Sequence, residues 1–224
     1  FTVSGDASED DIVLTVDGKD SNKTDKTSFD FTVAPKPNCG YKVTGVAAAD
    51  PTVATVMFDV TSGKGYVSGA TGDVVLTVTT AKADSTLTMK IDGKAPVADN
   101  AASFKKATAT VTSAQIGDTI TANFTVTDSY KPAVKVIAGD GTETVLPANA
   151  VRTNGSASGG KQAWIATFTM PGGNTTVEIT EAAQLYAKIS STDTAIVFEN
   201  TTHGSDMGTG DHAKDLKLTY GDTF

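Results

Sequence analysis

The residues best equipped for chemistry lie near the C-terminus. The only two histidines, His203 and His212, bracket Asp206 and Asp211 in the run HGSDMGTGDH. Imidazole and carboxylate groups this close could ligate a divalent metal. The spacing matches no established ligand motif, however, and a glycine-rich polar loop between strands needs no metal to form. His203, Asp206, Asp211 and His212 are therefore a candidate metal site whose plainer reading is a loop. Two acidic clusters, Asp6, Glu9, Asp10, Asp11 and Asp17, Asp20, Asp25, offer oxygen ligands of the kind Ca²⁺ takes. Neither follows the pattern of a calcium-binding loop, and a solvated acidic surface explains both, so no cofactor is expected, Ca²⁺ being the ion these two clusters would suit.

Nucleophilic chemistry has less to work with. There is no Gly-x-Ser-x-Gly elbow, and Cys39, the single cysteine, has no histidine in its half of the chain. It sits in a Pro-Asn-Cys-Gly turn as a small side chain. No pair of carboxylates stands out for glycoside hydrolysis. The expectation is a protein without catalytic or cofactor-binding residues. For sugar stacking the aromatic residues to consider are Trp164, which is in phase with Phe168 and Met170 and so belongs in a core, and Tyr66 and Tyr130, which lie near turns. Asn-x-Ser/Thr triplets, the acceptor pattern for N-glycosylation, occur at Asn22, Asn123, Asn154, Asn174 and Asn200.

The elements that must position these residues read as strands throughout. Ile12, Leu14 and Val16 alternate with polar residues, as do Phe29, Phe31 and Val33, then Val74, Leu76 and Val78. The pattern continues through Leu87, Met89 and Ile91, through Ile120, Ala122, Phe124 and Val126, through Trp164, Ala166, Phe168 and Met170, and ends with Leu216, Leu218 and Tyr220. Abundant threonine suits pleated, half-exposed surfaces. Only Pro96 to Lys106 could hold a short helix, with Pro96 in its first turn.

Charge and composition narrow the partners. The 224 residues carry 26 acidic and 18 basic groups, a formal net charge of -8. A phosphate backbone is repelled, which excludes nucleic acid. No stretch approaches the roughly 20 apolar residues of a membrane-spanning helix. One cysteine allows no internal disulfide, so folding rests on packing. Phe1 is no initiator, and any export signal or anchor is expected outside this chain.

Internal similarity organises the whole. IVLTVDGK from Ile12 parallels TLTMKIDGK from Thr86, both ending in Asp-Gly-Lys. FTVAPKPNCGYKV from Phe31 parallels FTVTDSYKPAVKV from Phe124, with eleven positions from Phe to Lys in each. TGDVVLTV from Thr71 parallels GGNTTVEI from Gly172, and YGDTF from Tyr220 echoes IGDTI from Ile116. The matches predict a first module over 1–83, a second over 84–183 with the boundary near Ala81 to Asp84, and a partial third over 184–224. They equate Phe31 with Phe124 and Leu14 with Met89.

The run ATFTMPGGNTTVEIT, Ala166 to Thr180, resembles the closing strands of bacterial immunoglobulin-like repeats in large surface proteins of Gram-positive bacteria. The first module lacks the Met-Pro of that pattern. The resemblance implies an all-β fold of tandem immunoglobulin-like β-sandwich modules, located extracellularly or at the cell surface, serving as stalk, spacer or adhesive arm. Its partners would be a surface glycan or protein ligand, or neighbouring copies of itself. Two other readings stand beside it: a carbohydrate-binding region of a secreted enzyme, and a subunit of an extracellular filament assembled by strand exchange.

Overall fold

The computed structural model describes residues 1–19, 24–128, 130–189, 197–200, 205–209 and 214–219, with side chains as far as residue 181. The chain is all β. In order the strands are β1 (Thr2–Gly5), β2 (Ile12–Val16), β3 (Phe29–Pro35), β4 (Tyr41–Ala48), β5 (Thr55–Asp59), β6 (Lys64–Ser68), β7 (Leu76–Lys82), β8 (Asp84–Ile91), β9 (Ser103–Lys106) and β10 (Ala109–Val111). They continue as β11 (Ser113–Gln115), β12 (Thr119–Thr127), β13 (Tyr130–Ile137), β14 (Glu143–Val145), β15 (Val151–Thr153), β16 (Lys161–Thr169), β17 (Thr175–Ile189), β18 (Val197–Asn200), β19 (Ser205–Thr209) and β20 (Lys214–Thr219).

Helix among the described residues is limited to single 3-10 turns, one of them Ala98–Asn100. The helix expected over Pro96 to Lys106 goes no further than this turn. Ala101 adopts a left-handed φ of 45°, which stops it. Phe104 then enters β9, where it lies opposite Ala122 and is buried.

Alternating strands need a second apolar face to pack on, and the chain supplies it twice. Sheets β1-β7-β4 and β2-β3-β6-β5 enclose one core. Its centre is Phe31, Val33, Val67 and Val78, all at most 2% exposed. Sheets β10-β9-β12-β16-β15 and β11-β8-β17-β13-β14 enclose the other, around Ile120, Phe124, Val126, Val177 and Ile179. The two sandwiches solve one packing problem differently. Phe31 lies opposite Gly65, where the missing side chain leaves room for its ring, and it stacks on Phe58 with centroids 6.1 Å apart. Phe124 lies opposite Trp164, which packs against the core while staying partly exposed.

Strand pairing shows which segments correspond. In both sandwiches the first strand lies parallel to the last: Thr2 to Gly5 against Thr77 to Thr80, and Leu87 to Ile91 against Thr175 to Ile179. The last strand then pairs antiparallel with β4 or β13. So β1 answers to β8, β3 to β12, β4 to β13 and β7 to β17. Val78 and Ile179 are equivalent, and Phe31 and Phe124 both lie buried on the corresponding strands β3 and β12.

Two sequence matches shift. Leu14 and Met89 are not equivalent, since β2 pairs with β3 whereas β8 pairs with β17 and β11. The strand equivalent to MKIDG is FTVSG at the start of the chain. What misled the match is a turn used twice: Asp17-Gly18 and Asp92-Gly93 both have positive φ and close the same bridge to a following lysine. Lys42 likewise answers to Lys131 and not to Lys135. The register pairs Tyr41 with Lys82 and Val46 with Val78, against Tyr130 with Ala183 and Val134 with Ile179.

Beyond the second core, the far half of β17 pairs antiparallel with β20, Gln184 opposite Thr219. β8 and β11 pair in the same way, Asp84 opposite Gln115. Gln115 immediately precedes IGDTI and Thr219 immediately precedes YGDTF, so the echo between these runs coincides with like strand pairing. Tyr220 to Phe224 themselves lie outside the described residues.

Candidate functional site

Of the candidate metal ligands, Asp206 falls on β19, while His203, Asp211 and His212 lie outside the described residues. Among the described residues no group of three or more His, Cys, Asp or Glu side chains is gathered as a metal site would require. One residue of each acidic cluster is engaged locally. Asp11 accepts hydrogen bonds from the Ser8 backbone N–H and hydroxyl at 2.9 and 2.7 Å, capping the turn that follows. Asp17 pairs with Lys26 at 2.8 Å, which holds its carboxyl below the usual range. Asp20 lies outside the described residues.

The aromatic candidates separate. Tyr66 is 38% exposed and sits opposite Met57 on the outward face of its sheet. Tyr130 packs against the second core. They belong to different sandwiches and form no pair. Trp164 has its ring nitrogen buried without a partner among the described residues.

A set of close contacts that the sequence reading passed over forms the joint between the sandwiches. β7 ends at Lys82 and β8 begins at Asp84. The single residue between them, Ala83, donates its backbone N–H to the Gly40 carbonyl at 2.9 Å, so the linker is tied to the loop joining β3 and β4. That loop projects onto the second sandwich. Asn38, in the left-handed region at φ 61°, donates its side-chain amide to the Gly139 carbonyl at 2.8 Å.

The approach is close because three residues of the receiving surface are glycines. A Cβ built on Gly172 would lie 2.8 Å from the Cys39 carbonyl oxygen, and one on Gly139 or Gly173 would lie 2.9 or 2.7 Å from the Asn38 Cβ. Next to them Asn174 accepts the Thr86 backbone N–H at 3.0 Å and so holds the start of β8. Charge crosses the same boundary. The Asp118 carboxyl is held below the usual range first by its hydrogen bond from Lys106 at 2.7 Å, with Lys82 of the first sandwich adding to it. Cys39 is thus a backbone contact in this joint. Sequence reasoning had the pieces, Pro-Asn-Cys-Gly and Pro-Gly-Gly-Asn, but no means of seeing that the two turns meet.

A second feature recurs in both sandwiches. Each parallel pair of first and last strands is fastened at its end by a side chain. In the first, the buried Thr80 hydroxyl donates to the Ser4 carbonyl at 3.2 Å and accepts from the Ala7 backbone N–H at 3.1 Å. In the second, Asp92 stands where Ser4 does, and its carboxylate accepts the Glu181 backbone N–H at 3.0 Å.

No helix among the described residues is long and apolar enough to cross a membrane. Comparison with protein-family models, with curated proteins and with solved structures finds no match for this chain.

Proposed function

We propose that this chain is a non-catalytic, load-bearing segment of a secreted or cell-surface protein, built of tandem immunoglobulin-like sandwiches. The observation that carries the reading is the parallel pairing of first and last strand in both units. Tension applied along the chain draws the N-terminal end of β1 one way and the C-terminal end of β7 the other. Parallel neighbours pulled in this sense slide past one another, so every hydrogen bond of the ladder is loaded at once. An antiparallel hairpin pulled from its two open ends parts one bond at a time. The same geometry recurs in β8 and β17, and only Ala83 separates β7 from β8, so force passes directly from one ladder to the next.

Two substitutions of equal chemistry test this. Val78 on β7 and Val67 on β6 are both 0% exposed. Replacing either with Ala leaves a small cavity and costs on the order of 1–3 kcal/mol in chemical denaturation. When single molecules are stretched from the chain ends, Val78→Ala is expected to lower the unfolding force of the first sandwich and Val67→Ala to leave it near wild type. Equal loss of force in both variants would contradict the proposal.

A further inference from the structure

Asn154 begins a seven-residue run, Asn154-Gly155-Ser156-Ala157-Ser158-Gly159-Gly160, that joins β15 to β16, and every residue of it is exposed. We propose that Asn154 is a site of spontaneous covalent change: it loses its side-chain amide to become aspartate and isoaspartate while the protein remains folded. In this reaction the deprotonated backbone nitrogen of Gly155 attacks the Asn154 side-chain carbonyl carbon. The new N–C bond closes a five-membered imide and ammonia leaves. Water then opens the ring at one of its two carbonyls, giving aspartate or isoaspartate. One water is consumed for each ammonia released, and no oxidant or reductant takes part.

The step needs an unencumbered backbone N–H after the asparagine, a side chain free to turn, and a following residue that does not block the approach. Gly155 meets all three needs. It has no Cβ and open space around it, takes φ +95°, and its N–H has no hydrogen-bond partner among the described residues. The Asn154 side chain makes no hydrogen bond there either. The fold closes this route at the other asparagines whose side chains are described. After Asn38, Asn100 and Asn149 the next backbone N–H is donated to the Lys36, Ala98 and Pro147 carbonyls. Asn123 and Asn174 are followed by strand residues, Phe124 and Thr175, that are buried. The Asp-Gly turns could form the same imide, but the Asp17, Asp92 and Asp140 carboxylates are each held by a partner.

The change adds a negative charge to an already acidic chain. In its isoaspartyl form it also lengthens the main chain of the loop by one carbon, which a glycine-rich exposed segment absorbs without disturbing either sheet.

The test uses the intact chain held in warm, mildly alkaline buffer, with a parallel sample unfolded in urea. Trypsin cleavage after Arg152 and Lys161 releases a peptide in which Asn154 is the sole amide side chain. Mass spectrometry follows its conversion, and enzymatic methylation identifies isoaspartate. The expected result is that this peptide converts in the folded chain at nearly the rate seen in urea, while the peptides carrying Asn38, Asn100 and Asn174 convert only in urea. Asn154→Gln should abolish the signal and leave the circular dichroism unchanged. Suppression of the Asn154 rate by roughly tenfold or more in the folded chain would mean that the loop protects it, and would overturn the proposal. Faster conversion at any other asparagine of the folded chain would overturn it as well.

Discussion

Thr80 is a small side chain with a large share in joining the ends of the first sandwich. Its buried hydroxyl serves one carbonyl and one N–H of the N-terminal segment. Thr80→Val keeps the shape and removes both bonds, leaving the Ala7 N–H without this acceptor, and is expected to cost about 1–3 kcal/mol in urea denaturation. A second expectation concerns acid. Asp50 and Asp59 are held below their ordinary value of 3.8, chiefly by side-chain hydrogen bonds from Thr52 and Ser62, and Asp118 chiefly by the bond from Lys106. A carboxyl whose folded pKa is lowered binds its proton more readily in the unfolded chain. Its contribution is complete above the ordinary value and is lost as pH falls through the lowered one. The denaturation midpoint should therefore be level near neutrality and decline from about pH 4 downward, and a midpoint that rises in acid would show the signs to be wrong. These local ties were legible in part: Asp-x-Thr and Asp-x-x-Ser are turn-forming spacings. The partnership of Thr80 with Ser4 was not, because it joins residues far apart in the chain.

At the level of elements, alternation found the inward faces of the strands because a half-buried strand must alternate, and all of Ile12, Leu14, Val16, Ile120, Ala122, Phe124 and Val126 are buried. Register was harder. Asp-Gly-Lys is a turn that any strand end can carry, so it matched β2 to β8 although the equivalent of β8 is β1. The lysine match slipped along its strand, because strand pairing sets Lys42 against Lys131 and not Lys135. A glycine-containing turn also says nothing of what it touches, which is why the joint escaped notice. Its chemistry makes a sharp expectation. Asn38→Gly keeps the left-handed backbone and deletes the bond to Gly139. Gly173→Val drives a side chain into Asn38 at a position with φ +74°. Asn38→Gly should cost roughly 0.5–1.5 kcal/mol of coupling between the sandwiches, and Gly173→Val more. Calorimetry should then resolve two transitions where the wild type gives one. A single transition in both variants would mean that the joint does not couple the two cores.

On the scale of the whole molecule, two cores follow one another with a linker of one residue, and the path between them runs through backbone held by hydrogen bonds on either side. Such an arrangement transmits tension with little slack. Its resistance, however, must depend on direction, because only the parallel ladders are loaded in shear. Thr55 and Ser68 face one another at the open end of the antiparallel β5 and β6 hairpin, and they offer a contrasting pair of handles on the same sandwich. Single-molecule unfolding can be measured with the tethers at the chain ends, and again with them at Thr55→Cys and Ser68→Cys in a Cys39→Ser background. A load-bearing segment should unfold its first sandwich at a markedly higher force from the chain ends than across the hairpin; equal forces in the two directions, or a lower force from the chain ends, would contradict the account.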